Sequence, residues 1–218
     1  MTSLTVLDYN SILTGIIAIA GLPTAWNIIA RNEYRHHTIE KILKGKKRGA
    51  YLLATAIFIA SLLRDFAFKV AVQDNPSLLM SMISASFSAD LNILQTLLQM
   101  LGVLLLIIGN ILVVSSFCRL GITGTYLGDY FGIKMKKRVT AFPFSHFESP
   151  MYLGSTLSFL GTAFLYRSEV GVLLAVWVGI VYYVATVYFE SPFTAMIYSE
   201  NKKAYRKLTN MHTLKNNS

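Results

Sequence analysis

Three long apolar runs, Ser11 to Ala30, Ala50 to about Val72 and Leu91 to Phe117, dictate the solvent in which this chain folds. Each supplies the roughly 20 residues that a helix needs to cross about 30 Å of hydrocarbon. Pro23 interrupts the first run, and Arg64 and Asp65 stand near the end of the second. A last region, Met151 to Phe189, is too long for one crossing and is broken by YRSEVG. It reads as a hairpin of a short helix ending at Tyr166 and a longer one starting at Val170, or as one merged span. The chain is therefore expected to be an all-α integral membrane protein of four to five transmembrane helices.

Composition agrees. With 54% hydrophobic and 14% charged residues and a mean hydropathy of +0.50, there is too little polar surface to clothe a soluble globule. No basic stretch precedes the first apolar segment and no small-residue cleavage pattern follows it, so that segment is expected to be kept rather than removed as a signal peptide. The single cysteine, Cys118, excludes an intramolecular disulfide and a Cys-rich metal site. Nothing repeats at a fixed period and no Pro-rich or Gly/Ser-rich linker divides the chain, so residues 1–218 read as a single membrane-embedded domain.

Basic residues set the orientation. Of the twenty lysines and arginines, seven lie between Arg31 and Arg48, five between Arg119 and Arg138 and five from Lys202 onward, whereas Gln73 to Asp90 has none. Five crossings put all three basic stretches on one side, the cytosolic side by the positive-inside rule. The net charge of +9 then follows from topology and from attraction to anionic headgroups, and no nucleic-acid fold signature accompanies it.

At the end of the third run stands GITGTYLGDYFGI, Gly121 to Ile133, with four glycines, two tyrosines, two threonines and one aspartate. Gly121, Gly124, Gly128 and Gly132 suit either a binding loop, where a ligand approaches the backbone, or a small-residue packing stripe. Asp129 favours the first, because a carboxylate at the membrane boundary calls for a partner or a task. Seven aromatics lie from Tyr126 to Tyr152: Tyr126, Tyr130, Phe131, Phe142, Phe144, Phe147 and Tyr152. They read as an interfacial belt, and aromatic faces beside carboxylates also attract alkylated ammonium groups such as a choline-like headgroup.

The segments WNIIAR (26–31), LGITGTYLGDYFGI (120–133), RVTAFPF (138–144), PMYLGSTLSFLG (150–161) and PFTAMIY (192–198) closely resemble the eukaryotic phospholipid N-methyltransferases, which convert phosphatidylethanolamine to phosphatidylcholine. The resemblance implies a metal-free enzyme using S-adenosylmethionine. It also implies a membrane phospholipid as substrate, and residence in the endoplasmic reticulum, in some members also in mitochondria-associated membranes. The family's Gly-x-Gly on the third span, tied to the cofactor, corresponds here to Ile107, Ile108 and Gly109, which keep only the second glycine. Its Glu-Glu pair before Pro-Phe-Thr corresponds to Glu190 and Ser191, and its Asn-Pro-Met-Tyr to Ser149, Pro150, Met151 and Tyr152. These matches make Ile107, Ile108, Gly109, Glu190 and Ser191 the candidate cofactor residues. Glu190 would accept ribose hydroxyls or pair with the methionyl ammonium.

Methyl transfer from a sulfonium needs a neutral amine in line with the carbon–sulfur bond, so a site must position two substrates and remove one proton. Asp129 is the first candidate to take that proton and Glu148 the second, with Tyr126, Tyr130 and Tyr152 as walls for the headgroup. His146, Arg64 and Asp65 are placed outside the site. Within the same wider group, the runner-up activity is methylation of an isoprenylcysteine carboxylate. A transporter would be expected to carry internal repeats, and a scaffold would not explain the clustered resemblance.

Overall fold

The computed structural model describes residues 7–75 and 88–199, the side chains of 88–92 excepted. Most of the loop expected between Gln73 and Asp90, and the basic tail from Lys202, lie outside the described residues. In hydrocarbon every backbone N–H and C=O must find a partner within its own segment, so the apolar runs become helices. They are α1 (Tyr9–His36), the short α2 (Thr38–Leu43), α3 (Lys46–Asp74), α4 (Ser88–Thr125), α5 (Pro150–Tyr166) and α6 (Glu169–Val184). From α6 the chain continues through a π-helical segment (Ala185–Glu190) into a further helical stretch, so that Glu169–Ser199 forms one span of 31 residues. Among the described residues, four helices are long and apolar enough to cross a membrane. The 17-residue α5 is the short arm of the expected hairpin. α1 passes through Pro23 without ending.

The two ends of the bundle are built differently. At one end Asn75 is the latch: its Oδ1 accepts from the Asp8 backbone at 2.8 Å and its Nδ2 donates to Ser11 Oγ at 3.1 Å. Its carbonyl accepts from Ser168 Oγ at 2.9 Å, and the same hydroxyl caps α6 by accepting from the Gly171 N–H at 3.1 Å. Arg167 and Gln95 meet at 2.7 Å at this end, so α5 and α6 turn beside the start of α4. The other end carries the basic stretches 31–48 and 119–138. There buried Glu33 of α1 accepts from the backbone N–H groups of Ile39 and Glu40 at 2.6 and 2.9 Å, capping α2 from outside.

Helices α4 and α5 touch backbone to backbone. A Cβ added at Gly102 would lie 2.7 Å from the Gly161 carbonyl, and one at Gly109 would lie 2.5 Å from the Gly154 carbonyl. The pairs are seven residues apart on each helix, two turns, so both fall on one seam. A first apolar core, with Ile19, Phe68, Val72, Phe159, Leu174 and Val178, joins α1, α3, α5 and α6. A second, with Trp26, Ala30, Leu53, Tyr130, Phe193 and Ile197, lies toward the basic end beneath the Gly-rich turn.

This topology predicts a labelling result. In a protein whose exposed Cys118 is replaced by serine, a cysteine at Arg167 (R167C) and one at Lys44 (K44C) should react with an impermeant maleimide from opposite sides of sealed membranes. Reaction of both from one side would rule out the five-crossing arrangement.

Candidate active site

The Gly-rich stretch forms neither a packing stripe nor an extended loop. α4 breaks at Gly121, whose φ of 65° is natural only for glycine, and the chain then folds into a 3-10 turn, Gly128–Phe131. A Cβ at Gly128 would meet the Thr123 carbonyl at 2.6 Å, which holds the turn tightly against the end of α4. The turn buries Tyr130 and Phe131 completely, Phe131 against Gly49 of α3 and Tyr130 stacked on Phe193 with ring centroids 4.9 Å apart. Asp129 is thereby left half-buried, facing Lys134 and Thr194.

Glu190 reaches the same place by a change of helix type. Continued at 3.6 residues per turn from buried Tyr182, the helix would put Phe189 inside two turns later. The π segment, closed by the Ser191 N–H on the Thr186 carbonyl, shifts the register by one residue. Phe189 is 45% exposed, and Glu190 faces inward. Pro192, which has no N–H to give and crowds the carbonyl a turn earlier, accounts for the widened helix just before it.

Inside, Glu190 Oε1 accepts from Asn27 Nδ2 at 3.1 Å and Oε2 from the Tyr152 hydroxyl at 2.6 Å. Arg31, one turn beyond Asn27 on α1, donates to the Phe189 carbonyl at 2.7 Å and lies over the rings of Phe189 and Phe193 at 5.3 and 4.9 Å. Asp129, Tyr130, Arg31 and Glu190 are close enough to act on one another electrostatically. Four of the five segments of the resemblance thus meet at one polar cluster around Glu190, which stands just before PFTAMIY, while RVTAFPF lies in the loop leading to α5.

Five buried side-chain polar atoms lack a hydrogen-bond partner among the described residues: Asn27 Oδ1, Arg31 Nε, Thr125 Oγ1, Tyr130 OH and Thr186 Oγ1. Four belong to residues of this cluster or to the π segment, and Thr125 ends α4 just before the turn. Buried polar atoms are ordinarily paired, so this concentration is what a polar ligand would satisfy. Donors, acceptors, a guanidinium and a carboxylate fit the ribose, carboxylate and ammonium of S-adenosylmethionine.

Of the expected residues, Asp129, Tyr130, Tyr152 and Glu190 come together. Tyr126 packs edge-on to Phe117 at 6.4 Å, beside the second core. Glu148 stands exposed in the loop before α5, and Ser191 is exposed behind Glu190. Ile107 and Ile108 face outward from α4, 53% and 40% exposed, and Gly109 lies in the seam with Gly154. None of these three presents a side chain to the cluster. Arg64 and Asp65 do pair, at 2.8 Å, but Arg64 is buried inside the bundle. Asn27 and Arg31 were missed, although their spacing of four, with only the apolar Ile28, Ile29 and Ala30 between them, was the available signal. The one group of three candidate metal ligands among the described residues, Glu33, His37 and Glu40, has its ligand atoms within 4.8 Å. Glu33 is spent on capping α2, and His37 pairs with Glu40 at 3.1 Å.

Comparison with known proteins points the same way. Residues 97–201 match the family described as phospholipid methyltransferase. The phosphatidyl-N-methylethanolamine N-methyltransferase of Neurospora crassa is 44% identical over 92% of this chain and 89% of its own length. The enzyme of that name from Saccharomyces cerevisiae is 42% identical over 85% and 84%. Human phosphatidylethanolamine N-methyltransferase is 37% identical over 90% and 92%. No solved structure matches the chain. A helical membrane bundle, a polar cluster assembled from the family's own segments and near full-length similarity to these enzymes agree: the chain belongs to the phospholipid methyltransferase family.

Proposed function

We propose that this chain methylates the headgroup amine of phosphatidylethanolamine and its mono- and dimethyl derivatives toward phosphatidylcholine, using S-adenosylmethionine, at the cytosolic face of the endoplasmic reticulum membrane. The observation that carries the site is the gathering of Glu190, Arg31, Asn27, Tyr152 and Asp129 with most of the unpartnered buried polar atoms. The compartment rests on the resemblance alone.

S-adenosylmethionine supplies an electrophilic methyl on a sulfonium when bound, and such a transfer asks for no Lewis acid. Glu190 holds ribose hydroxyls or the ammonium, with Tyr152 and Asn27 fixing the carboxylate. Arg31 presents a guanidinium, its Nε unpaired, to an anionic carboxylate. Asp129 takes the proton from the lipid ammonium, leaving the amine a lone pair; the new nitrogen–carbon bond forms as the carbon–sulfur bond breaks. Tyr130 offers an aromatic face to the methylated cation, while Tyr152 is engaged with Glu190. The walls exclude water and so favour the neutral amine.

The test is purified protein with labelled S-adenosylmethionine and phosphatidylethanolamine, its monomethyl form, its dimethyl form or a prenylated cysteine peptide in separate reactions. Label is expected in all three lipids and fastest in the monomethyl form, for which the relatives at 44% and 42% identity are named. Label in the prenylated peptide alone would overturn the proposal.

A further inference from the structure

The polar chain that fixes Glu190 continues beyond Tyr152 into the depth of the bilayer. Arg64 of α3 is 6% exposed and stands ten residues before the helix ends at Asp74, about 15 Å from that end. Its Nε and one terminal nitrogen donate to a single Asp65 oxygen at 3.0 and 2.8 Å. The other terminal nitrogen donates to the Tyr182 hydroxyl. The guanidinium lies over the rings of Phe159 and Tyr182 at 5.1 and 5.7 Å. Tyr182 is held a second time, its hydroxyl 3.3 Å from Ser155 Oγ. Its ring leans on that of Tyr152, with centroids 4.7 Å apart, and the Tyr152 hydroxyl donates a hydrogen bond to Glu190.

An ion pair at this depth is expensive to desolvate, and apolar residues of similar volume would pack the same space at least as well. Packing alone therefore does not call for Arg64. What a donor fork adds here is a hold on the Tyr182 hydroxyl while it pairs with Asp65, and with it on the plane against which Tyr152 rests.

We propose that Arg64 is a positioning residue for the methyl-transfer site: through Tyr182 it holds the Tyr152 ring in the orientation that delivers its hydroxyl to Glu190, and so sets the carboxylate that grips S-adenosylmethionine. This rests on the reading of Glu190 given above. Neither Arg64 nor Tyr182 touches the substrates; their effect passes through the Tyr152–Glu190 hydrogen bond and bears on the cofactor, not the lipid.

Binding of S-adenosylhomocysteine to purified Tyr182→Phe, Arg64→Met and Arg64→Lys in detergent, with the acceptor KM measured alongside, tests this. Tyr182→Phe removes one oxygen and keeps the ring, so it decides the matter even should Arg64→Met fail to fold. The expected result is about tenfold weaker binding in Tyr182→Phe and Arg64→Met, the effect of one charge-assisted hydrogen bond. Arg64→Lys should recover part of the loss, and the acceptor KM should stay within about twofold. In a Glu190→Gln background, Tyr182→Phe should add nothing further, because the route it acts through is already cut. Unchanged affinity in folded Tyr182→Phe, or a penalty that persists in full in the Glu190→Gln background, overturns the proposal alone. Unchanged affinity in Glu190→Gln itself overturns the reading of Glu190 and this proposal with it.

Discussion

Glu190→Gln is expected to bind S-adenosylmethionine about a hundredfold more weakly while folding as well as the parent protein. The glutamine keeps an oxygen for Asn27 or Tyr152 but loses the charge, and hydrogen bonds to a charged group contribute about 1.5–3 kcal/mol. Stability should hold because a half-buried carboxylate is being replaced by a neutral group that needs less solvation. At a ligand concentration about 100 times the parent Kd, stabilisation by S-adenosylhomocysteine should fall from about 2.7 to about 0.4 kcal/mol, a loss visible as a vanished Tm shift.

Asp129→Asn supplies the contrast. It should keep that Tm shift and lose about 10²–10⁴ in turnover, the range of a positioned general base. Its residual rate should climb roughly tenfold per pH unit on the alkaline side, as the neutral fraction of the lipid amine grows below an ammonium pKa of about 10. A flat profile with cofactor still bound would remove Asp129 from the proton transfer. If Asp129→Asn abolished cofactor binding and Glu190→Gln left it intact, the two carboxylates would exchange roles.

The second large effect lies in the glycine seam. Gly154→Leu should prevent folding or destabilise the protein by about 3 kcal/mol or more, because the first side-chain atom already falls 2.6 Å from the Gly109 carbonyl and 2.8 Å from Leu112 Cβ. A backbone carbonyl does not swing aside, so α4 and α5 would have to part. Gly21→Ala is the control. Its nearest neighbour is the Ile17 side chain at 3.9 Å, and alanine favours the helix by about 1 kcal/mol over glycine. Thermal unfolding in detergent reads both. Equal Tm values for the two would mean that the seam is not close-packed.

The helices were legible because hydrocarbon leaves so little choice. The run from Leu91 to Phe117 lies inside α4, and YRSEVG separates α5 from α6. The clustering of lysine and arginine also anticipated which helix ends lie together. Glu190 was legible only through the resemblance, since a lone glutamate after an apolar helix is as well explained by water. The π segment was not legible, because a one-residue shift of register leaves no mark on a pattern that is apolar all round. For the same reason Phe189 and Glu190 could not be told apart as inner and outer. Gly109 was assigned to the cofactor by its motif, yet its surroundings are Gly154 and Ser158. Glycine in a membrane helix serves close packing and ligand approach equally, and composition does not separate them. Arg64 and Asp65 are neighbours in the chain and pair with one another. Tyr182, 118 residues away, could not be foreseen as the third member.

The shortness of α5 bears on the bilayer itself. Its 17 residues rise about 26 Å, a few ångströms less than the hydrocarbon thickness of an average membrane. The mismatch is met by thinning the lipid beside α5 or by drawing its Pro150 end below the headgroup plane, at a fraction of a kcal/mol per ångström. Tyr152 sits at that end, so the same dip lowers surrounding headgroups toward the cluster. Membrane thickness thereby becomes a variable of the reaction: short-chain or unsaturated lipids favour the geometry in which an amine reaches the site, and long saturated chains or sterol oppose it.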